Sequence, residues 1–413
     1  MKLNNFLNPS SIAIIGASDH IDKVGGILMK KALKSQCKII PVNPAHSELF
    51  GIKCYSHLYK YPERIDLAII AIPKEFVYKA AEECIDNEVK DIIIVSAGFS
   101  EVGNKEEEDK LMFLARKHGA RILGPNCFGI FSSNENLDLT FSNKTPKKGK
   151  IAFISQSGAL WSYLADLGMG FSGFVGLGNM VDLEFSDFIE HYTNDKNTDS
   201  LVLYIEKIKH GKRFIEACKN ALDKGKKIFA VKAGKTKEGE KATFSHTASL
   251  ASEYEIYRGA FRQAGVELCV SLEEAISKAS VKKFKLLKKK VQIRNVDIIT
   301  NAGGAGALVS DYLFERNVKI VSRKDILGTA SAIDYYNALD KTTAKEVIVI
   351  LTAQSMSEIE KTAHIISDFL AKTGKNIIPV FLGKKSMKEA NKILEKNKIK
   401  YFNDLESFRQ SLN

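Results

Sequence analysis

Cysteine is sparse and unpatterned. Six occur in 413 residues, Cys37, Cys54, Cys84, Cys127, Cys218 and Cys269, and no two form a CxxC. Neither a disulfide framework nor a cysteine zinc site is expected, and we expect no metal site. Such thiols suit a reducing cytoplasm, which is the expected location. Long apolar runs are missing too, so no membrane span is expected. The opening "MKLNNFLNPSSIAIIGAS" has a short apolar run ending in Gly and no cleavage region, unlike a signal peptide. Aromatic residues are not interleaved with the lysines of "KKFKLLKKK" or "LGKKSMKEANKILEKNK". The net charge of +12 therefore reads as a lysine-rich solvated surface, or as attraction for small anions such as phosphates, and no nucleic-acid partner is expected.

What is present is an alternation. The runs "SIAIIGA", "IDLAIIAIP", "VKDIIIVSAG", "KIAFISQSG", "SLVLYIE", "KIFAVKAG", "NVDIITNAGG" and "EVIVILTA" read as buried strands. Amphipathic stretches of helical length, such as "KEEEDKLMFLARKHG", lie between them. This pattern predicts a doubly wound α/β protein with parallel sheets. Two lysine-rich breaks, "NKTPKKGK" (143–150) and "KKFKLLKKKVQIRN" (282–295), divide it into units expected at 1–142, 148–284 and 293–413. Each unit opens with a strand running into small residues: "IAIIGAS", "IAFISQSGA" and "VDIITNAGGAGA". Ligands of such sheets gather at the carboxyl ends of strands, where the next helix presents free N–H groups. All three openings are candidate anion sites.

The first opening is not a GxGxxG. Gly16 is followed only by Gly25 and Gly26, with Ser18 and Lys23 between them. The next strand ends "KIIPVNP", placing Pro41, Asn43 and Pro44 where an NAD enzyme usually carries an acidic residue. A nicotinamide dinucleotide is disfavoured, but close backbone approach to a phosphate is not. The turns "AIPKEF", "SAGFSE" and "GPNCFGI" each follow a strand and should converge on the same sheet edge. Together they favour a nucleotide-like ligand. Cys127, flanked by apolar residues, reads as packing rather than as a reactive thiol.

In the second unit, "FISQSGALWSYLADLG" places Ser155, Ser157 and Gly158 at a strand-to-helix turn, where unpaired N–H groups attract a phosphate. "VGLGNMVDLEF" adds a glycine turn with Asn179 and Asp182, and "LYIEKIKHG" sets Glu206 directly after a strand. "KATFSHTASLASEYE" holds His246 among small and hydroxylated residues. A histidine that accepts a phosphoryl group needs one free ring nitrogen, an acceptor for the other, and positive dipoles for the phosphate. Glu206 and the Ser157 turn can meet the last two needs. A histidine on a loop surface is the alternative.

"GPNCFGI", "SQSGAL", "GLGN..D", "YIE" and "SHTASLA", in this order and spacing, resemble the ADP-forming acyl-CoA synthetases, which are similar to the succinyl-CoA synthetase α subunit. The likeness covers about residues 8–285 and extends more weakly through "TNAGGAGAL". It implies a Rossmann-like CoA-binding domain followed by two flavodoxin-like domains. Gly16, Ser18, Lys23, Val24, Gly25, Pro41, Asn43, Ile72, Pro73, Ser96, Ala97, Gly98, Asn126 and Cys127 would then contact CoA. Ser155, Ser157, Gly158, Gly178 and Asn179 would cradle phosphate. His246 would be phosphorylated, with Glu206 holding its other ring nitrogen. The implied reaction converts acyl-CoA, phosphate and ADP to a small carboxylic acid, CoA and ATP. Mg-ADP or Mg-ATP would bind an ATP-grasp β subunit, in an α2β2 assembly, since no remainder of the chain is left for that domain.

The sequence also departs from the family. Ala248 and Ser252 stand where glycines are usual, and "ASAIDYYNALD" (330–340) replaces an "NPVD"-like stretch. The third unit is therefore expected to be chiefly structural or an interface. The alternative function is a non-catalytic, CoA-binding regulatory protein of the same fold.

Overall fold

A computed structural model describes residues 3–242, 250–280, 284 and 290–412. Its strands in chain order are β1 Ser11–Ile15, β2 Lys38–Val42, β3 Glu48–Leu49, β4 Ile52–Lys53, β5 Leu67–Ile70, β6 Asp91–Ile94, β7 Arg121–Leu123, β8 Gly129–Ser132 and β9 Leu137–Thr140. They continue as β10 Lys147–Ser155, β11 Gly170–Gly176, β12 Ser200–Ile205, β13 Lys227–Lys232, β14 Glu267–Leu268, β15 Asn295–Thr300, β16 Lys319–Asp325, β17 Glu346–Thr352 and β18 Asn376–Leu382.

Three sheets form, in the orders β2-β1-β5-β6-β7, β14-β13-β12-β10-β11-β8-β9 and β16-β15-β17-β18, beside the small β3–β4 pair. The first and third are parallel throughout. Apart from the edge strand β16, their strands are largely buried, which explains apolar runs without alternation. The second is parallel except for the β8–β9 hairpin, which joins antiparallel to β11. Residues 129–140, expected with the first unit, thus belong to the second sheet. The chain enters that sheet through the turn at Gly124–Phe128.

Strand order reverses at β1 in the first sheet, at β10 in the second and at β15 in the third. These are the three strands that open into small-residue turns. A crevice forms at such a reversal because successive helices leave to opposite faces.

Two clusters of apolar side chains bridge units rather than stopping at their borders. One runs from Phe6 and Ile14 to Leu183 and Phe188. The other joins Trp161 and Tyr204 of the second unit to Ala305, Leu308 and Tyr312 of the third. Trp161 stacks on Phe174 with centroids 4.4 Å apart and planes 5° from parallel. No helix among the described residues is long and apolar enough to cross a membrane.

Candidate functional site

Glycine sets the first turn. Gly16 has φ +87°, and a Cβ there would lie 2.4 Å from the Ala71 carbonyl oxygen. A Cβ at Gly25 would lie 1.9 Å from the Gly16 oxygen. Only glycines let helix Val24–Ala32 begin this close to the ends of β1 and β5. Lys23, its N-cap, is exposed beside Val24, and no side chain caps the helix.

The neighbouring turns are tied to each other. Asn43, after β2, donates from Nδ2 to the Ala17 carbonyl at 2.8 Å and accepts the Ala45 N–H at 2.9 Å. Ser18 Oγ accepts the His20 N–H at 3.0 Å. Ser96, after β6, donates to the Ile72 carbonyl at 2.6 Å and accepts the Ile72 N–H at 3.2 Å. That fixes Ile72 and Pro73 beside Ala97 and Gly98. Asn126, after β7, has φ +53° and its N–H donates to the Ser96 carbonyl at 2.9 Å. Pro41 lies buried within β2. The residues expected to contact CoA therefore follow one another along the carboxyl edge of the first sheet. Cys127 is there too, but 3% exposed, and burial pushes its thiol up to about 12. Its burial suits packing rather than a reactive thiol.

The second unit meets this edge. Gly178 has φ +56°, and a Cβ there would sit 2.3 Å from the Pro125 oxygen. A Cβ at Gly158 would sit 2.2 Å from the Phe128 Cβ. Ser157 and Gly158, at the start of helix Ala159–Asp166, are partly open. Ser155 is different. Its hydroxyl donates to the Ser157 carbonyl at 2.7 Å and accepts the Ser157 N–H at 3.1 Å, so it shapes the turn from within. Asn179, expected to face phosphate, donates to Glu101 Oε2 at 2.6 Å and accepts from Asn126 Nδ2 at 3.2 Å. In this arrangement it ties the second unit to the first.

Glu206 follows β12. Gln156 Oε1 accepts the N–H groups of Glu206 and Lys207 at 2.7 and 2.9 Å, which fixes the strand end against the Ser157 turn. Burial raises the Glu206 carboxyl to about 7, while the Tyr204 hydroxyl, Lys232 and Arg323 oppose that rise and Asp325 adds to it. A carboxyl near neutrality serves as a proton-sensitive acceptor. His246 lies outside the described residues, as does Ala248. Helix Lys237–Ala242 precedes it and helix Leu250–Ala264 follows.

The third unit, whose opening reads as a candidate anion site although the unit was expected to be chiefly structural or an interface, meets the second here. Helix Gly303–Phe314 points its first turn at Ser157. A Cβ at Gly304 would lie 2.4 Å from the Ser157 Cβ, and Tyr204 donates its hydroxyl to the Gly304 carbonyl at 3.1 Å. Gly303 stands against Asp325, at 2.7 Å for a Cβ. Further along this helix, buried Asp311 accepts N–H groups of Gly234 at 2.9 Å, Lys235 at 3.3 Å and Thr236 at 2.9 Å, and the Thr236 hydroxyl at 2.7 Å. It anchors the segment leading to helix Lys237–Ala242. Two helix starts, at Gly158 and Gly303, thus meet at the Ser157–Gly304 contact, and helix N-termini suit an anion. The signals for this were the repeated glycines of "TNAGGAGAL" and a lone Asp inside an apolar helix. A cavity of about 600 Å³ near Leu3, His191 and Asp195 shares no residue with this site.

Family profiles place this fold in the class of acyl-CoA ligases. Residues 10–133 match the CoA binding domain and residues 148–281 the succinyl-CoA ligase like flavodoxin domain. The acetate–CoA ligase [ADP-forming] II subunit alpha of Pyrococcus furiosus is 36% identical, covering 96% of this chain and 93% of its own. The acetate–CoA ligase [ADP-forming] of Methanocaldococcus jannaschii is 43% identical over 76% of this chain, and the match spans 44% of that longer protein. The apo dinucleotide-forming acetyl-coenzyme A synthetase 1 of Ca. Korarchaeum cryptofilum superposes with a TM-score of 0.64 at 29% identity, covering 100% of this chain and 96% of that one. The chain belongs to the family of ADP-forming acetate–CoA ligase alpha subunits.

Proposed function

We propose that this chain carries the thioester chemistry of an acyl-CoA synthetase and hands a phosphoryl group onward through His246. Phosphate oxygen attacks the acyl carbonyl, the C–S bond breaks, and CoA leaves as the thiolate. A ring nitrogen of His246 then attacks phosphorus in the acyl phosphate, and the carboxylic acid leaves as its carboxylate. ADP finally takes the phosphoryl group to give ATP. Splitting the reaction this way keeps the thioester energy in discrete covalent species.

The observation that carries this reading is the meeting of two helix N-termini, at Ser157–Gly158 and Gly303–Gly304, beside Glu206. The dipoles receive the phosphate, and Glu206 accepts the N–H of the other ring nitrogen of His246, which fixes its tautomer. The turns from Gly16 to Asn126 hold CoA, Lys23 supplies charge, and Gly178 keeps the wall of the acyl end close. Naming of the Pyrococcus relative as a subunit alpha supports a partner for this chain. We assign that partner an ATP-grasp domain that binds Mg-ADP or Mg-ATP, in an α2β2 assembly acting on a small carboxylic acid.

The test is phosphorylation of the chain with its partner subunit, using labelled ATP or acetyl-CoA with labelled phosphate. Acid-labile, base-stable label that disappears in His246→Ala supports the relay. A folded, CoA-binding chain that takes no label with an active partner would point to the regulatory alternative. ATP formation by the chain alone would refute the need for a partner.

A further inference from the structure

One side chain of the second unit is plugged into the first. The Asn179 amide nitrogen donates to Glu101 Oε2 at 2.6 Å and to Glu108 Oε1, and the amide oxygen accepts from Asn126 Nδ2 at 3.2 Å. An NH2 group has two hydrogens, so each carboxylate takes one. A flipped amide would set its oxygen against both carboxylates, so the orientation is fixed. The partners come from three elements of the first unit: the turn after β6, helix Lys105–His118 and the turn after β7. The backbone beside Asn179 is docked as well. The N–H groups of Asn179, Val181 and Leu183 donate to the carbonyls of Pro125, Gly124 and Ile122 at 3.0, 3.0 and 3.1 Å. Between them, buried Met180 holds φ +53°, a conformation that a bulky side chain adopts only where its surroundings impose it.

Glu101 reaches in the other direction too. Its Oε1 accepts the Gly98 N–H and its Oε2 the Phe99 N–H at 3.2 Å, while Asn104 Nδ2 donates to the Gly98 carbonyl at 2.8 Å. Gly98, at φ +108°, is thus held at both of its backbone groups. Buried Glu108 steadies the same turn, accepting the Ser100 N–H at 3.2 Å and the Ser100 hydroxyl at 2.7 Å. One carboxylate, that of Glu101, therefore touches both the turn expected to contact CoA and the glycine turn of the second unit. We infer that Glu101 is a positioning residue for acyl transfer, setting the CoA edge of the first unit in register with the Gly178–Asn179 turn of the second. The inference rests on the reading of the first edge as the CoA site. Transfer of an acyl group from sulfur to a phosphate oxygen has to cross this junction, whereas phosphoryl exchange with ATP does not. A misplacement of about 1 Å can cost on the order of a hundredfold in rate. Glutamine at this position would offer one oxygen to three donors and turn its NH2 toward at least one of them.

Two readouts test this on the full chain. Hydrogen exchange of residues 177–183 follows the docked N–H groups without any need for turnover, and Glu101→Gln is expected to speed it about tenfold. Labelling of the chain with its partner subunit is the functional counterpart, run once from acetyl-CoA with labelled phosphate and once from labelled ATP. Glu101→Gln is expected to slow the first about tenfold at saturating acetyl-CoA and to leave the second within about twofold. Asn179→Asp sets a third carboxylate against the other two and is expected to show the same split. Adding Glu101→Gln to it should restore part of the rate, because amide and carboxylate have then changed places. If Glu101→Gln does not fold, Asn179→Ser carries the same test from the second unit. Unchanged exchange, undiminished labelling from acetyl-CoA, or an equal loss of both labels overturns the assignment, the last because a merely structural role would lower both. Faster exchange in the variant, with an unmodified chain that labels from ATP and never from acetyl-CoA, supports the junction and sinks the thioester reading instead.

Discussion

Asp311 offers the sharpest test of how the units are held together. Its carboxylate is buried in helix Gly303–Phe314 of the third unit, yet all four of its partners' donors come from Gly234, Lys235 and Thr236 of the second. Asp311→Ala leaves three N–H groups and a hydroxyl without this acceptor. Hydrogen bonds to a charged group contribute about 1.5–3 kcal/mol each, but these donors are only partly buried, so water recovers much of that. Removing the carboxylate also removes its own burial cost, which pushes its pKa up. Taking about 1 kcal/mol net for each N–H gives a loss of about 3 kcal/mol, or roughly 6–12 °C when the second and third units melt together. Trp161 is the only tryptophan and lies in the apolar cluster that spans both units, so its fluorescence reports this transition directly. Asp311→Asn is the control for charge. It keeps one oxygen but sets an NH2 group against N–H donors, so it should cost at least as much as alanine. A melting shift below about 1 °C in both variants would refute the claim that this carboxylate staples the units.

Three further outcomes are expected. Gly304→Ala drives a methyl group into Ser157, at 2.4 Å, and should slow His246 phosphorylation at least tenfold while leaving CoA affinity, measured by calorimetry, unchanged. Alkylation at pH 8 should modify half-exposed Cys37 first, and Cys127→Ser should keep its activity, because the Cys127 thiol is buried and raised to about 12. Glu206→Gln should abolish phosphorylation yet stabilise the fold at high pH. The raised folded value means that the stabilisation from a protonated Glu206 is present below the ordinary carboxylate range and is lost as pH rises through about 7. The melting difference between variant and parent should therefore be small at pH 5 and large at pH 8, and a difference that does not change with pH would contradict the placement of this carboxyl.

Period and punctuation made much of this protein legible. Strands buried on both faces announce themselves as unbroken apolar runs, and glycine turns mark where each unit begins. Some of the strands that escaped notice have other demands on them. Strand β11, "GFSGFVG", is glycine-rich because a Cβ at Gly173 would lie 2.1 Å from the Tyr192 hydroxyl, so glycine makes room for helix Phe185–Asn194. Strand β16 is an exposed edge, and its charges hide its strand character. The β8–β9 hairpin crosses to the second sheet because β11 offers it an edge, and nothing local in "GIFS" or "LDLT" says which sheet will be the host. Asp311 shares that difficulty: it shows as a lone acidic residue in an apolar helix, but nothing in that helix says which unit it acts on.

The same logic explains why the site lies where units meet. Each sheet reverses its strand order at its opening strand, β1, β10 or β15, and each reversal leaves a crevice with helix N–H groups at its mouth. One such crevice holds a ligand, but a phosphoryl relay must present an acyl donor, a phosphate and an acceptor to the same atoms. Here the Gly178 and Gly158 contacts press the first crevice against the second, and the Gly304 contact presses the second against the third. Each of these approaches requires the missing Cβ of a glycine. The glycines that the sequence displays as turn signals are therefore also what brings the first turn against the second and the second against the third. A methyl group at Gly304 should separate the last two without unfolding any sheet, and that is why its effect should fall on phosphoryl transfer and spare CoA binding.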